Sequence, residues 1–137
     1  MLWYPTEMKY LFVNADDFGY SPSVNQGIIK AHVGGVVTGT SVMVDAIAAQ
    51  EAFELSMYPN LSVGLHFAVT DFSNVRGELE RQYDKLVAIV GKAPDHINSH
   101  KIYTTHEELR DVMRKFAKEK GTPLRRYCGA KFIDSFF

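Results

Sequence analysis

One cysteine, Cys128, stands in a chain of 137 residues, which excludes an internal disulfide. Taken alone, it reads as a small buried hydrophobe. Neither sign of charge is in excess: 15 Lys and Arg against 16 Asp and Glu leave a formal net charge of -1. That balance gives no electrostatic reason to expect nucleic acid, and no basic run points to an anionic membrane surface. No apolar run approaches the ~20 residues of a membrane span. The N-terminus has no basic start, long apolar stretch or small-residue cleavage site of the kind a secretion leader carries. A cytoplasmic location is therefore the expectation. Low-complexity segments and linkers are also missing.

What is present is ordinary globular composition, with 46% hydrophobic and 23% charged residues. That length supports one domain with a real core. Its pattern alternates. The apolar run 10–13 reads as a first strand, followed by Ser21-Pro22-Ser23 and a helical stretch ending near His32. Residues 36–44, rich in Val and Thr, read as a second strand. Residues 46–57 read as a helix stopped before Pro59, and residues 61–69 as a third strand. Over residues 76–90, Leu79, Tyr83, Leu86, Val87 and Val90 share one helical face, and Gly91 stops it. Residues 94–99 make a short fourth strand. Thr105 and Glu108 form a capping box before the stripe Leu109, Val112, Met113, Phe116. Gly121 and Pro123 end that helix, and residues 124–127 open another strand. Four βα units and the start of a fifth predict an α/β fold with a parallel sheet, either doubly wound or a barrel.

Parallel α/β folds place their chemistry at the C-terminal ends of strands. There the sequence offers Asn14, Asp16 and Asp17, then Asp45, then His66, then His96, Asn98 and His100. Adjacent carboxylates repel, so the Asp16-Asp17 pair implies a user for the charge, most simply a cation. One Asp and two His make a plausible ligand set for zinc, manganese or cobalt; magnesium suits it less, because it prefers oxygen donors. Period-two alternation points His96, Asn98 and His100 to the same side of their strand. His32 reads as a helix-ending cation, His106 as a first-turn residue and Asp45 as a helix N-cap.

The strings Asn14-Ala15-Asp16-Asp17-Phe18-Gly19, Val36-Val37-Thr38, Gly64-Leu65-His66 and His96-Ile97-Asn98-Ser99-His100 occur in that order. Together they resemble the YdjC-like carbohydrate deacetylases, over nearly the whole chain. The resemblance implies a distorted (β/α) barrel related to other polysaccharide deacetylases, a TIM-like barrel that is incomplete here. A full (β/α)8 barrel takes about 250 residues. It implies removal of N-acetyl groups from amino sugars or short chitooligosaccharides with the help of one divalent metal ion, magnesium by family usage. Carried over, Asp17, His66 and His100 match the metal ligands and Asp16 the general base. His96 and Asn98 are left as substrate-binding residues or supports for the ligands. Asn98 stands where the family usually has Asp, and a later His-Pro segment of the family lies beyond Phe137. The expected organisation is an N-terminal extension over residues 1–8 and a single YdjC-like domain over residues 9–137, shortened at its C-terminus.

Two other readings stay open. One is a metal-dependent hydrolase of another bond, such as a phosphodiester, for which Lys101 and the pair Arg125-Arg126 are the available cations. That Arg pair reads more simply as a solvated strand entrance. The other is a non-catalytic sugar- or metal-binding relic of the same fold. An incomplete barrel leaves sheet edges open, so a homo-oligomer is expected, with a carbohydrate substrate and neither nucleic acid nor membrane as a partner.

Overall fold

The computed structural model describes residues 10–100, 107–131 and 133. The extension 1–8, Thr105 with its capping box, His106 and Lys101 lie outside the described residues. Among the described residues four strands form one parallel sheet, in the order β1 (Asn14–Phe18), β2 (Gly39–Val42), β3 (Ser62–Phe67), β4 (Ile97–Ser99). Sequence neighbours are sheet neighbours throughout. A doubly wound sheet reverses its order at a switch point, and this one does not, so the arrangement is that of consecutive barrel units. Among the described residues the sheet is open. The expected fifth strand is reduced to one parallel bridge between Leu124 and Ile97.

The helices form where the sequence supplies their ends. In α1 (Pro22–Val33), Ser21 caps the first turn by accepting from the Val24 amide, and Pro22 has the preset φ of a first helical position. In α2 (Val75–Val90), Asn74 caps the start and Gly91, at φ 82°, closes the end. Leu79, Tyr83, Leu86 and Val90 are buried as the stripe predicts, and α3 (Glu107–Lys120) buries Leu109, Met113 and Phe116.

Three expectations are corrected. The apolar run 10–13 is not the first strand: Tyr10, Leu11 and Phe12 are 86%, 73% and 55% exposed. Pairing begins where β2 provides a partner, with Asn14 opposite Gly39, so the carboxylates lie within β1 rather than after it. The stretch 46–57 is not an α-helix but a 3-10 helix over Ala49–Met57. Its buried residues, Ala49, Ala52 and Leu55, recur every third position, which is the period of that tighter winding. Cys128 is exposed rather than buried.

The sheet has two chemically different faces. In β3 the residues alternate strictly: Val63, Leu65 and Phe67 join the hydrophobic core beneath the helices, while Ser62, Gly64 and His66 face the other way. Val42 and Ile97 continue the apolar face. The other carries Ser41, Gly64, His66 and Asn98, and this polar face becomes the site.

Candidate active site

Strand β1 is one residue too long for its partner. Ala15 pairs with Thr40 and Phe18 with Val42, so three steps on β1 match two on β2. The surplus is a β-bulge, and Asp17 there has φ 68°, in the left-handed region. A regular strand would send Asp16 and Asp17 to opposite faces. The bulge instead lets both carboxylates serve the polar face, while Phe18 returns to the core at 1% exposure.

Asp17, His66 and His100 converge. The Oδ1 of Asp17 lies 3.0 Å from His66 Nε2 and 3.1 Å from His100 Nδ1, and the two imidazole nitrogens are 3.2 Å apart. These form a group of donor atoms able to hold a metal ion. The triangle suits one: neighbouring ligands of an ion at about 2.1 Å sit about 3.0 Å apart in octahedral and about 3.4 Å apart in tetrahedral geometry.

Asn98, only 1% exposed, fixes the chemistry of His66. Its Nδ2 donates to Asp16 Oδ1 and to Ser41 Oγ, each at 3.0 Å, so its Oδ1 must be the atom facing His66 Nδ1 at 2.5 Å. His66 Nδ1 therefore donates, and in the neutral ring Nε2 carries a lone pair. Burial pushes the His66 imidazole below its ordinary value, against the opposing pull of Asn98, Asp16 and Asp17. A neutral ring then sets that lone pair against a carboxylate oxygen. This contact is repulsive until a proton or a cation lies between the two atoms, and the donor set fits a divalent cation.

Asp16 occupies a different environment. Its Oδ1 accepts from Arg125 at 2.6 Å, Asn14 at 2.7 Å, Ser41 at 2.9 Å and Asn98 at 3.0 Å. Its Oδ2 accepts from Arg125 at 2.8 Å. Burial alone would raise the Asp16 carboxyl; the bidentate Arg125 guanidinium, helped by His66 and Ser41, outweighs it and holds the group at about 2. This corrects the reading of Arg125 as solvated: its side chain is 23% exposed and grips the carboxylate from 109 residues away. Its place after Leu124, at the C-terminal side of the incipient fifth strand, was the available signal.

His96 lies apart from the triad. It shares a face with Asn98 and His100, as alternation requires, but one layer lower. Its Nδ1 is 3.2 Å from Ser62 Oγ, and its ring meets Phe12 edge-on at 5.5 Å. A Cβ built on Gly64 would overlap the His96 imidazole, so glycine there makes room for the ring. Burial, then the charge of Arg125, pushes His96 down to about 4. The His32 ring hydrogen-bonds the Val37 carbonyl at 2.8 Å in the last turn of α1. Asp45 is not a helix cap: it pairs with Arg81 and Lys85 of α2.

The chain resembles known proteins over most of its length. The family model described as YdjC-like protein matches residues 10–76 and 71–134. A chitooligosaccharide deacetylase from Serratia marcescens is 34% identical over 149 residues, covering 85% of this chain and 59% of that protein. One from Yersinia pestis (strain Pestoides F) matches with the same identity and coverage. A crystal structure from Enterococcus faecalis V583, of a protein described provisionally as a cellobiose-phosphate cleavage protein, superposes with a TM-score of 0.74 at 28% identity. That match covers 87% of this chain and 59% of that one. The chain thus spans 59% of the length of the curated relatives it matches.

Proposed function

Because the chain belongs to the YdjC-like protein family, we propose that its polar sheet face is the metal-dependent hydrolytic site of a carbohydrate deacetylase. The substrate class is N-acetylated amino sugars or short chitooligosaccharides. The observation that carries this reading is the triangle of Asp17, His66 and His100 with Asp16 held separately beside it. Asp17, His66 and His100 are the residues that would hold the ion. When bound, a divalent cation supplies Lewis-acid polarisation of the acetyl carbonyl and acidifies a water. The donors admit zinc, manganese or cobalt, with magnesium favoured by family usage.

The chain's own groups manage the protons. Asp16 stays ionised at neutral pH and is the base that takes a proton from the attacking water. Oδ1 is saturated with donors, so Oδ2 is the atom with a lone pair to offer. Arg125 keeps the carboxylate from turning, and Asn98 couples it to His66. The water oxygen bonds to the acetyl carbon and the carbon–nitrogen bond breaks. The proton held on Asp16 passes to the departing amine, which leaves acetate and a free amino sugar.

Acetate release from diacetylchitobiose, measured with added divalent metal, tests this. Asp16→Asn is expected to lower the rate at least a hundredfold while leaving metal affinity within a few fold. A rate unchanged by Asp16→Asn would refute the base assignment. A non-catalytic sugar- or metal-binding protein of the same fold is the second reading. Thermal stabilisation by metal that is abolished by Ala at both His66 and His100, without acetate release, would favour it.

A further inference from the structure

Asn25 lies on α1 and touches neither Asp16 nor the three candidate ligands, yet it is 3% exposed and its amide is fully engaged. Its Oδ1 accepts from the Gly19 amide at 2.6 Å. Its Nδ2 donates to the Ala48 carbonyl at 3.1 Å and to Glu51 Oε2 at 2.8 Å. The backbone closes the same ring, with the Ala48 amide donating to the Gly19 carbonyl at 2.9 Å. Both polar groups of the Gly19 backbone are thus held, one directly by Asn25 and the other by a residue that Asn25 also holds.

What this ring clamps is the exit of β1. Asp17 and Gly19 both have positive φ, 68° and 98°. A left-handed aspartate is sparsely populated and persists where the surroundings over-determine it. The sequence permits the turn at Gly19, where an added Cβ would meet the Ala49 Cα and the Met43 carbonyl oxygen at 3.0 Å. Permission is not enforcement, however. The Tyr20 amide bonds the Asp17 carbonyl at 3.1 Å and the Met43 amide bonds the Phe18 carbonyl at 2.8 Å. Both contacts need Gly19 in place, and the side chain that fixes Gly19 is Asn25.

We propose that Asn25 is a positioning residue for the metal site: by locking Gly19 it keeps the bulge that turns the Asp17 carboxylate toward His66 and His100. The proposal rests on the reading of those three residues as a cation site. It assigns to α1 a role in cation affinity that no contact with the ion would reveal. With Glu51 opposite, an amide fits this position, giving Gly19 an acceptor and Glu51 a donor. An acceptor alone satisfies Gly19 but would set a second negative charge against Glu51.

The full chain is titrated with Co2+, followed by calorimetry and by the visible ligand-field bands of the bound ion. Asn25→Ala is expected to raise the Kd about tenfold and to change the band pattern, because one ligand is held less firmly. Asn25→Asp combined with Glu51→Gln keeps an acceptor for Gly19 and returns a donor to the pair; it is expected to restore the Kd to within about threefold. Leu86→Ala, a core truncation in α2, lowers stability but is expected to leave the Kd within twofold, which separates positioning from general loosening. Should Asn25→Ala not fold, the wild type decides: Co2+ at 100 times its Kd is expected to slow Gly19 amide exchange by up to ~100-fold, since opening the clamp would dismantle the site. Failure of the wild type to bind Co2+ refutes the cation site itself, and the inference with it. Wild-type binding with an unchanged Kd in Asn25→Ala, or with unchanged Gly19 exchange, overturns the inference alone.

Discussion

Replacing Arg125 by Gln tests the electrostatics of the site most directly. Arg125 holds both oxygens of Asp16, at 2.6 and 2.8 Å, and the carboxyl sits near 2 rather than at its ordinary 3.8. Remove the guanidinium and burial, which pushes the group upward, is opposed only by neutral donors and His66. The Asp16 pKa is then expected to rise by about two units, which converts to about 2.5 kcal/mol. The Asp16 side chain is 35% exposed, so water screens part of that interaction and the expected stability loss is about 1–2 kcal/mol. The sign follows from linkage. A carboxyl depressed in the folded state contributes stability that is complete above 3.8 and is lost as pH falls toward 2. Urea unfolding of wild type and Arg125→Gln, compared from pH 7 to pH 3 in chelator, should show a gap that is full at neutral pH and narrows below 3.8. The Asp16 carboxyl carbon resonance, followed through the same range, reads the pKa itself. A gap that stays constant to pH 3, with the resonance midpoint unmoved, would refute the argument and reduce Arg125 to a packing group.

Three further outcomes are expected. His96, neutral in the fold down to about 4 against an ordinary 6.5, makes the unfolded chain bind more protons in that window; stability should fall as pH drops from 6.5 to 4, by up to about 3 kcal/mol. His96→Gln should flatten that slope, and chemical denaturation at several pH values measures it. Gly64→Ala should cost about 1–3 kcal/mol, because its methyl overlaps the His96 ring, and the loss in the double variant with His96→Ala should be smaller than the sum of the two single losses. Asn98→Leu, which removes the acceptor that fixes the His66 tautomer, should weaken divalent-cation binding about 10–100-fold by calorimetry.

Much of the architecture was legible because its signals are local. The alternation Ser62-Val63-Gly64-Leu65-His66-Phe67 announces a strand with one apolar face, and the spacing of Leu79, Tyr83, Leu86 and Val90 announces a helix on a core. Tyr10, Leu11 and Phe12 misled because strand propensity says nothing about where a pairing partner begins. The three-residue spacing of Ala49, Ala52 and Leu55 was readable but was masked by good α-helix formers. The set Asp17, His66 and His100 could be named from motif order, and the structure brings those atoms together. Arg125 was harder to read: its place after Leu124 was the one local signal, and its partnership with Asp16 spans 109 residues. The bulge was equally hidden, since nothing in Ala-Asp-Asp-Phe states that one of those residues is surplus to the ladder.

That surplus residue has a consequence for which changes the segment can absorb. Because side-chain direction along β1 depends on counting, deleting one position between Asn14 and Gly19 would restore an ordinary ladder and send one of the two acids to the wrong side. A conservative replacement at Ala15 leaves the count intact. This hexapeptide should therefore tolerate exchange of its bystanders far better than any change in its length. A library that varies identity at fixed length should keep functional members, and one that varies length should lose them.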